Sequence, residues 1–146
     1  MKKYITGAVA TAMLGFGIFG AQAADKYVGE YAGRDNCAWN NSKLQTQCKV
    51  VIKKSGKTSY KVDFIVSDLF DARKVVCKVN FTMKSGDVDD QPNRRTRKGL
   101  VGHYKNVMAG LWIEGQGEIQ MVGGLTNDIV CGGKFVWSGF YGEIGD

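Results

Sequence analysis

The sequence predicts an all-β fold: a small antiparallel β-barrel of about eight strands, stapled by two disulfides. Three observations predict it. Apolar and polar side chains alternate with a period of two in four segments of the first half. Four cysteines occur in a short chain that opens with an export signal. Glycine is concentrated from Gly99 onward, where it punctuates short apolar runs. No window carries a convincing 3.6-residue period. A barrel is preferred to a compact sandwich because closure removes the edge strands that invite aggregation.

The chain divides once. Met1-Lys2-Lys3 is a short positive start, residues 5–19 are apolar and rich in small side chains, and Ala21-Gln22-Ala23 is an A-x-A cleavage site. Residues 1–23 therefore read as a signal peptide and 24–146 as a single β-barrel domain. The apolar run is too short and too rich in Gly and Ala for an anchor, and no later stretch reaches the roughly 18 apolar residues of a span. The expected compartment is the periplasm. Removing Lys2 and Lys3 lowers the net charge from +6 by two. A multidomain enzyme, a helical membrane protein and a cytosolic zinc protein do not fit this chain.

The strands follow in order. Tyr27, Gly29 and Tyr31 alternate with Val28 and Glu30; Cys48, Val50 and Ile52 alternate with Lys49, Val51 and Lys53. Ser55-Gly56-Lys57 then forms a tight hairpin turn. Tyr60, Val62, Phe64 and Val66 alternate with Lys61, Asp63 and Ile65; Val75, Cys77, Val79, Phe81 and Met83 alternate with Val76, Lys78, Asn80 and Thr82. Each reads as a strand with one wet face. Between the last two, 67–73 is the best place for one helical turn, capped by Ser67 or Asp68. Further strands are expected at 100–107, 110–114, 118–122, 128–131 and 134–141. Gly115-Gln116-Gly117, Gly123-Gly124 and Gly132-Gly133 separate them. Closure pairs the terminal strands, near 27–31 and 135–140.

Cys37, Cys48, Cys77 and Cys131 allow three pairings. Cys37 with Cys48 closes a short polar loop at little entropic cost, which leaves Cys77 to join Cys131. A metal or redox role is disfavoured, because there is no C-x-x-C and one histidine supplies no cluster.

Positive charge gathers in residues 43–105, while both flanking segments are acidic on balance. Lys49, Lys53, Lys61 and Lys78 fall on wet strand faces, where they also deter strand pairing. Two groups stand out: Lys53, Lys54 and Lys57 around the hairpin turn, and Arg94-Arg95-Thr96-Arg97-Lys98, expected in a polar loop. Arginine suits carboxylate or phosphate. After export, an anionic glycan, lipid head groups or an acidic protein cleft is the expected partner, and nucleic acid is not. Asp87, Asp89 and Asp90 precede the run and can pair with it. A homodimer is compatible with the chain.

Catalytic residue sets are missing. His103 is the one histidine and reads as a barrel-wall residue. No G-x-S-x-G elbow occurs. Asp87-x-Asp89-Asp90 lacks the glycine and the terminal glutamate of a calcium loop. Glu114 and Glu118 have only their spacing to suggest a glycosidase pair. The expectation is a non-enzymatic binding protein with neither cofactor nor metal. Trp39, in the Cys37–Cys48 loop, is placed either to anchor a partner or a sugar ring or to pack over the disulfide.

An exported, disulfide-tied small barrel carrying Ser55-Gly56-Lys57-Thr58-Ser59-Tyr60 resembles the periplasmic inhibitors of c-type lysozyme. In that family a Ser-Gly turn followed by tyrosine, together with a lysine loop, enters the lysozyme cleft and meets its catalytic carboxylates. Here the second part is offered only by Arg97-Lys98-Gly99, since there is no tryptophan followed by Lys-Gly. The resemblance implies a protein partner contacted by Ser55, Lys57, Tyr60, Arg97 and Lys98, and no catalysis. The competing expectation is an envelope barrel that binds a small ligand or glycan without inhibiting anything.

Overall fold

The computed structural model describes residues 25–34, 37–39, 44–90, 93, 95–123 and 129–145. The expected signal peptide, Arg94 and residues 40–43 of the Trp39 loop lie outside them. Ten strands are described: β1 (Gly29–Gly33), β2 (Thr46–Lys54), β3 (Ser59–Asp68), β4 (Val75–Asp90), β5 (Arg95–Tyr104), β6 (Val107–Gly115), β7 (Glu118–Gly123), β8 (Ile129–Val130), β9 (Phe135–Val136) and β10 (Gly139–Glu143). Eight of them close an antiparallel barrel in the order β1-β10-β7-β6-β5-β4-β3-β2, and β8 pairs with β9 alone. The chain is all-β, as its alternation implies. No described helix is long and apolar enough to cross a membrane.

The period-two pattern decides what faces inward. Val50, Ile52, Val62, Phe64, Val79, Phe81, Met83, Leu100, Leu111, Ile119 and Met121 are sealed from solvent in one core. Each such side chain contributes roughly 1.5–3 kcal/mol by leaving water. Lys49, Lys53, Lys61, Lys78 and Lys84 alternate with them on the outer wall. A wall that is apolar inside and charged outside is the inverse of a bilayer-spanning barrel.

Aromatic rings close both ends. At one end Tyr27 meets Tyr60 edge-on at 5.6 Å, and the Tyr31 hydroxyl donates to the Tyr27 carbonyl at 3.0 Å. At the other, Trp137 packs edge-on to Phe81 at 4.9 Å, its indole donates to the Val122 carbonyl, and its own carbonyl accepts from the Tyr141 hydroxyl. Both disulfides sit at this second end, pairing Cys37 with Cys48 and Cys77 with Cys131 at Cα separations of 6.3 and 6.0 Å. The cheap-loop pairing is the one formed.

Four expectations are corrected. There is no helical turn at 67–73: Ser67 and Asp68 end β3, and Asp68 Oδ1 accepts the amides of Phe70 and Asp71 in a side-chain turn. The stretch 100–107 breaks after Tyr104, where Lys105 enters the left-handed region at φ 54° and reverses the chain. The stretch 134–141 breaks at Trp137-Ser138, so β9 joins β8 and only β10 pairs with β1. Finally, Arg95, Arg97 and Lys98 are not in a loop. They open β5 and pair with the far end of β4, Asp90 facing Arg95 and Asp87 facing Lys98.

That last pairing shapes one end of the molecule. β4 extends past the β2–β3 turn, and its inward phase changes from Met83 to Val88. Gly86 faces Gly99 across the two strands at the change. A Cβ at Gly99 would stand 2.0 Å from the Leu111 carbonyl oxygen, and one at Gly110 would stand 2.5 Å from Val88 Cγ1. The β4–β5 hairpin thus folds down onto the outside of β6, and only glycine permits the approach.

Candidate functional site

The turn between β2 and β3, residues 55–58, projects at the end opposite the disulfides. The amides of Ser55 and Gly56 both donate to the Ser59 carbonyl, at 3.0 and 3.2 Å, which holds the turn closed. Ser55, Gly56, Lys57 and Thr58 are all exposed. Among the described residues none bonds or ion-pairs with Lys57.

The two sequence-predicted elements lie at the same end of the barrel and are linked through β4. The Ser85 amide donates to the Thr58 carbonyl at 3.1 Å, which joins the turn to β4. Asp87, two residues further along β4, faces Lys98 on β5. A cleft of about 420 Å³ lies alongside, lined by Lys26, Tyr27, Ser85, Asp87 and Lys98 among others. On the other side of the folded hairpin, a cleft of about 300 Å³ is lined by Arg95, Thr96, Arg97, Lys98, Trp112 and Ile113. Lys98 borders both.

The predicted residues differ in availability. Lys98 Nζ donates to Asp87 Oδ1 at 2.5 Å, and Arg97 Nε donates to Asp90 Oδ2 at 3.3 Å. The Arg97 guanidinium also covers Trp112, 5.4 Å from the ring centre. The acidic run before them therefore does neutralise part of their charge. Arg95 lines the cleft in the open. Tyr60, expected both in phase with Val62, Phe64 and Val66 and at the partner contact, is 4% exposed, with its hydroxyl donating to Asp25 Oδ2 at 2.6 Å and accepting from Lys54 Nζ at 2.9 Å.

Asp25, Lys54 and Tyr60 form a clasp across the barrel mouth that the sequence reading missed. Lys54 Nζ also reaches Asp25 Oδ2 directly, at 2.7 Å. Partial burial pushes the Asp25 carboxyl up, but hydrogen bonds from Lys54, Tyr60 and the Tyr27 amide outweigh it and hold the group down at about 2. The Tyr60 phenol is raised, first by burial and then by its bond to Asp25. A signal existed: Lys54 continues the inward phase of Cys48, Val50 and Ile52, and a cation in that phase requires an acid.

The outer wall beside the turn is basic. Lys53 faces Lys61 directly, and Lys84 faces Ser59. Further along the wall the charges are matched, Lys78 with Asp63 at 3.7 Å and Lys49 with Glu30 at 3.4 Å. Among the described residues, Lys53, Lys61 and Lys84, without ion pairs, thus gather beside the turn, while Lys105 and Lys134 are exposed and without ion pairs at the other end.

Other candidates sit elsewhere. His103 is exposed on the outer wall opposite Thr82. Glu114 accepts the Trp112 indole at 2.5 Å and Glu118 binds Arg34, so each carboxylate is engaged in the wall. Trp39 is half exposed at the disulfide end, its amide donating to the Lys134 carbonyl. No cluster of three or more potential metal ligands occurs among the described residues. A scan against protein-family models, a search of curated proteins and a search of solved structures each found no match.

Proposed function

We propose that this protein is a non-enzymatic inhibitor that binds the acidic catalytic cleft of a c-type lysozyme through the turn end of its barrel. The observation that carries the reading is that Ser55-Gly56-Lys57 and Arg97-Lys98 lie at the same end of the barrel, the turn tied to β4 by the Ser85–Thr58 backbone bond and Lys98 facing Asp87 on that strand. The resemblance to the lysozyme inhibitors requires these two elements to enter one cleft. Lysozyme offers two carboxylates there, one raised and one ionised. A hydroxyl at Ser55 and an unpaired ammonium at Lys57 match such a pair without chemistry. The turn is already closed by its own hydrogen bonds, so little ordering entropy is lost on binding. Local complementarity has to outweigh repulsion between two basic proteins.

The alternative, a small-ligand or glycan-binding barrel, loses its interior: aromatic rings fill both mouths. Its remaining support is the cleft over Trp112, where Arg95 suits an anionic sugar. A lysozyme cell-wall lysis assay decides. Wild-type protein at micromolar concentration is expected to suppress lysis. Lys57→Ala is expected to weaken inhibition about tenfold to a hundredfold, the value of one charge-assisted contact. Unchanged lysis with wild type overturns the inhibitor reading, and equal inhibition by Ser55→Ala and Lys57→Ala overturns the choice of loop.

A further inference from the structure

The outer wall below the turn keeps three cations without counter-charges. Lys53 on β2 faces Lys61 on β3, and Lys84 lies on β4 two residues beyond Thr82, the partner of Lys61. All three are exposed, and none has an ion pair or hydrogen bond among the described residues. Like charges directly opposite each other destabilise an antiparallel pair. The acids at adjoining positions do not relieve them. Asp63 pairs with Lys78 and accepts the Asn80 amide, Glu30 pairs with Lys49, and Asp87 is held by Lys98.

Protection of a sheet edge does not account for the cluster. Lysines on a strand deter edge-to-edge pairing, but β2, β3 and β4 each have a partner on both sides of the closed barrel. Adjacent strands lie about 4.8 Å apart, so the three lysines spread over about 10 Å of rigid wall. Hydroxyl side chains lie among them: Thr82 faces Lys61, and Ser59 faces Lys84. His103, also exposed, continues the first row beyond Thr82, and Val101 continues the second beyond Lys84. No Phe, Tyr or Trp occurs at these positions.

We infer that this wall is a docking surface for an anionic polysaccharide. The charge complementarity is direct, because the three ammonium groups are not already matched within the fold. A single small anion would meet only part of the row. A chain that repeats its carboxylates or sulfates meets all three at once, and each contact makes the next one intramolecular. Thr82 and Ser59 each offer a donor and an acceptor, which suits the hydroxyls of the sugar rings between the charges. A bilayer would need an apolar ring to insert, and a single-stranded nucleic acid a ring on which to stack; these rows hold neither. The inference is independent of the lysozyme reading, since Lys57 is no part of the row.

The test is affinity electrophoresis of protein beginning at Ala24 through gels containing polygalacturonate, dextran sulfate or neutral dextran. Retardation by either acidic polymer and none by dextran is expected, and the acidic polymer that binds identifies the anion. Lys53→Gln with Lys61→Gln is expected to weaken binding about tenfold. Lys105→Gln with Lys134→Gln removes the same charge at the other end and is expected to change it less than twofold. Lys57 stays in every variant, so this inference and the lysozyme reading fail separately. Thermal unfolding of the Lys53 and Lys61 double variant is expected at or above wild type, because a repulsion is removed; a lower midpoint contradicts the repulsion on which the inference rests. Retardation by neither acidic polymer overturns the inference, as do equal losses in the two double variants, which would show that net charge alone is read. So does tighter binding to polyglutamate or to phosphatidylglycerol vesicles than to either polysaccharide, since the surface then belongs to an acidic protein or a bilayer.

Discussion

Lys57 and Lys98 show why residue type alone does not identify a binding cation. Both are exposed lysines near a glycine at one rim, but Lys98 is held by Asp87 and Lys57 is not. Lys57→Ala is therefore expected to weaken inhibition more than Lys98→Ala, which exposes Asp87 while removing a charge already answered; dose–response curves for the two variants check this. Asp25 gives a prediction of another kind. Its carboxyl lies near 2 in the fold against an ordinary 3.8. A depressed acid adds stability above its unfolded value and loses it as pH falls through the folded one. The stability advantage of wild type over Asp25→Asn is thus expected to be constant above about pH 5, to shrink between 4 and 2, and to vanish below that, as followed by urea unfolding at stepped pH. Tyr60 carries two signals that point different ways. Its place after the Ser-Gly turn points to function, while its phase with Val62, Phe64 and Val66 points inward, and phase decides.

At the scale of elements, the four strands with clean alternation and the Ser55–Lys57 hairpin were legible, because one buried face imposes a period of two. The far half of β4 and the start of β5 were not. Asp87, Asp89, Arg95, Arg97 and Lys98 crowd a projecting hairpin, and Val88 alone carries an apolar signal there. A projecting ladder needs backbone hydrogen bonds but no buried face, so its sequence reads as a polar loop. The glycines held the missing information. Gly99→Ala places a methyl group 2.0 Å from the Leu111 carbonyl oxygen and is expected to cost about 3 kcal/mol or more. Gly56→Ala meets Ser59 Cβ at an ordinary 3.4 Å and is expected to stay within about 0.5 kcal/mol. Chemical unfolding of the two variants separates a glycine that a crease demands from one that a turn merely contains.

Across the whole molecule, rigidity and presentation are divided between the two ends. The disulfides clamp the end at which β2 and β4 begin, and the basic turn projects from the end at which β2 stops. Loop-closure entropy ranks the clamps: Cys77–Cys131 spans 54 residues and contributes about 4 kcal/mol, against about 3 kcal/mol for Cys37–Cys48 across 11. Replacing each pair by alanines is expected to lower stability in that order, read by thermal unfolding, while the distant turn retains its geometry and inhibition persists below the melting temperature. The pairing was legible from loop length; the separation of the ends was not, because it depends on which strands run past their neighbours. The central claim is that one basic rim meets a lysozyme cleft. Amide hydrogen exchange of the protein, alone and with c-type lysozyme, tests it most directly. Protection confined to residues 55–58 and 95–99, with 69–76 unchanged, is the result expected; no protection anywhere, or protection at 37–39 and 69–76 instead, contradicts it.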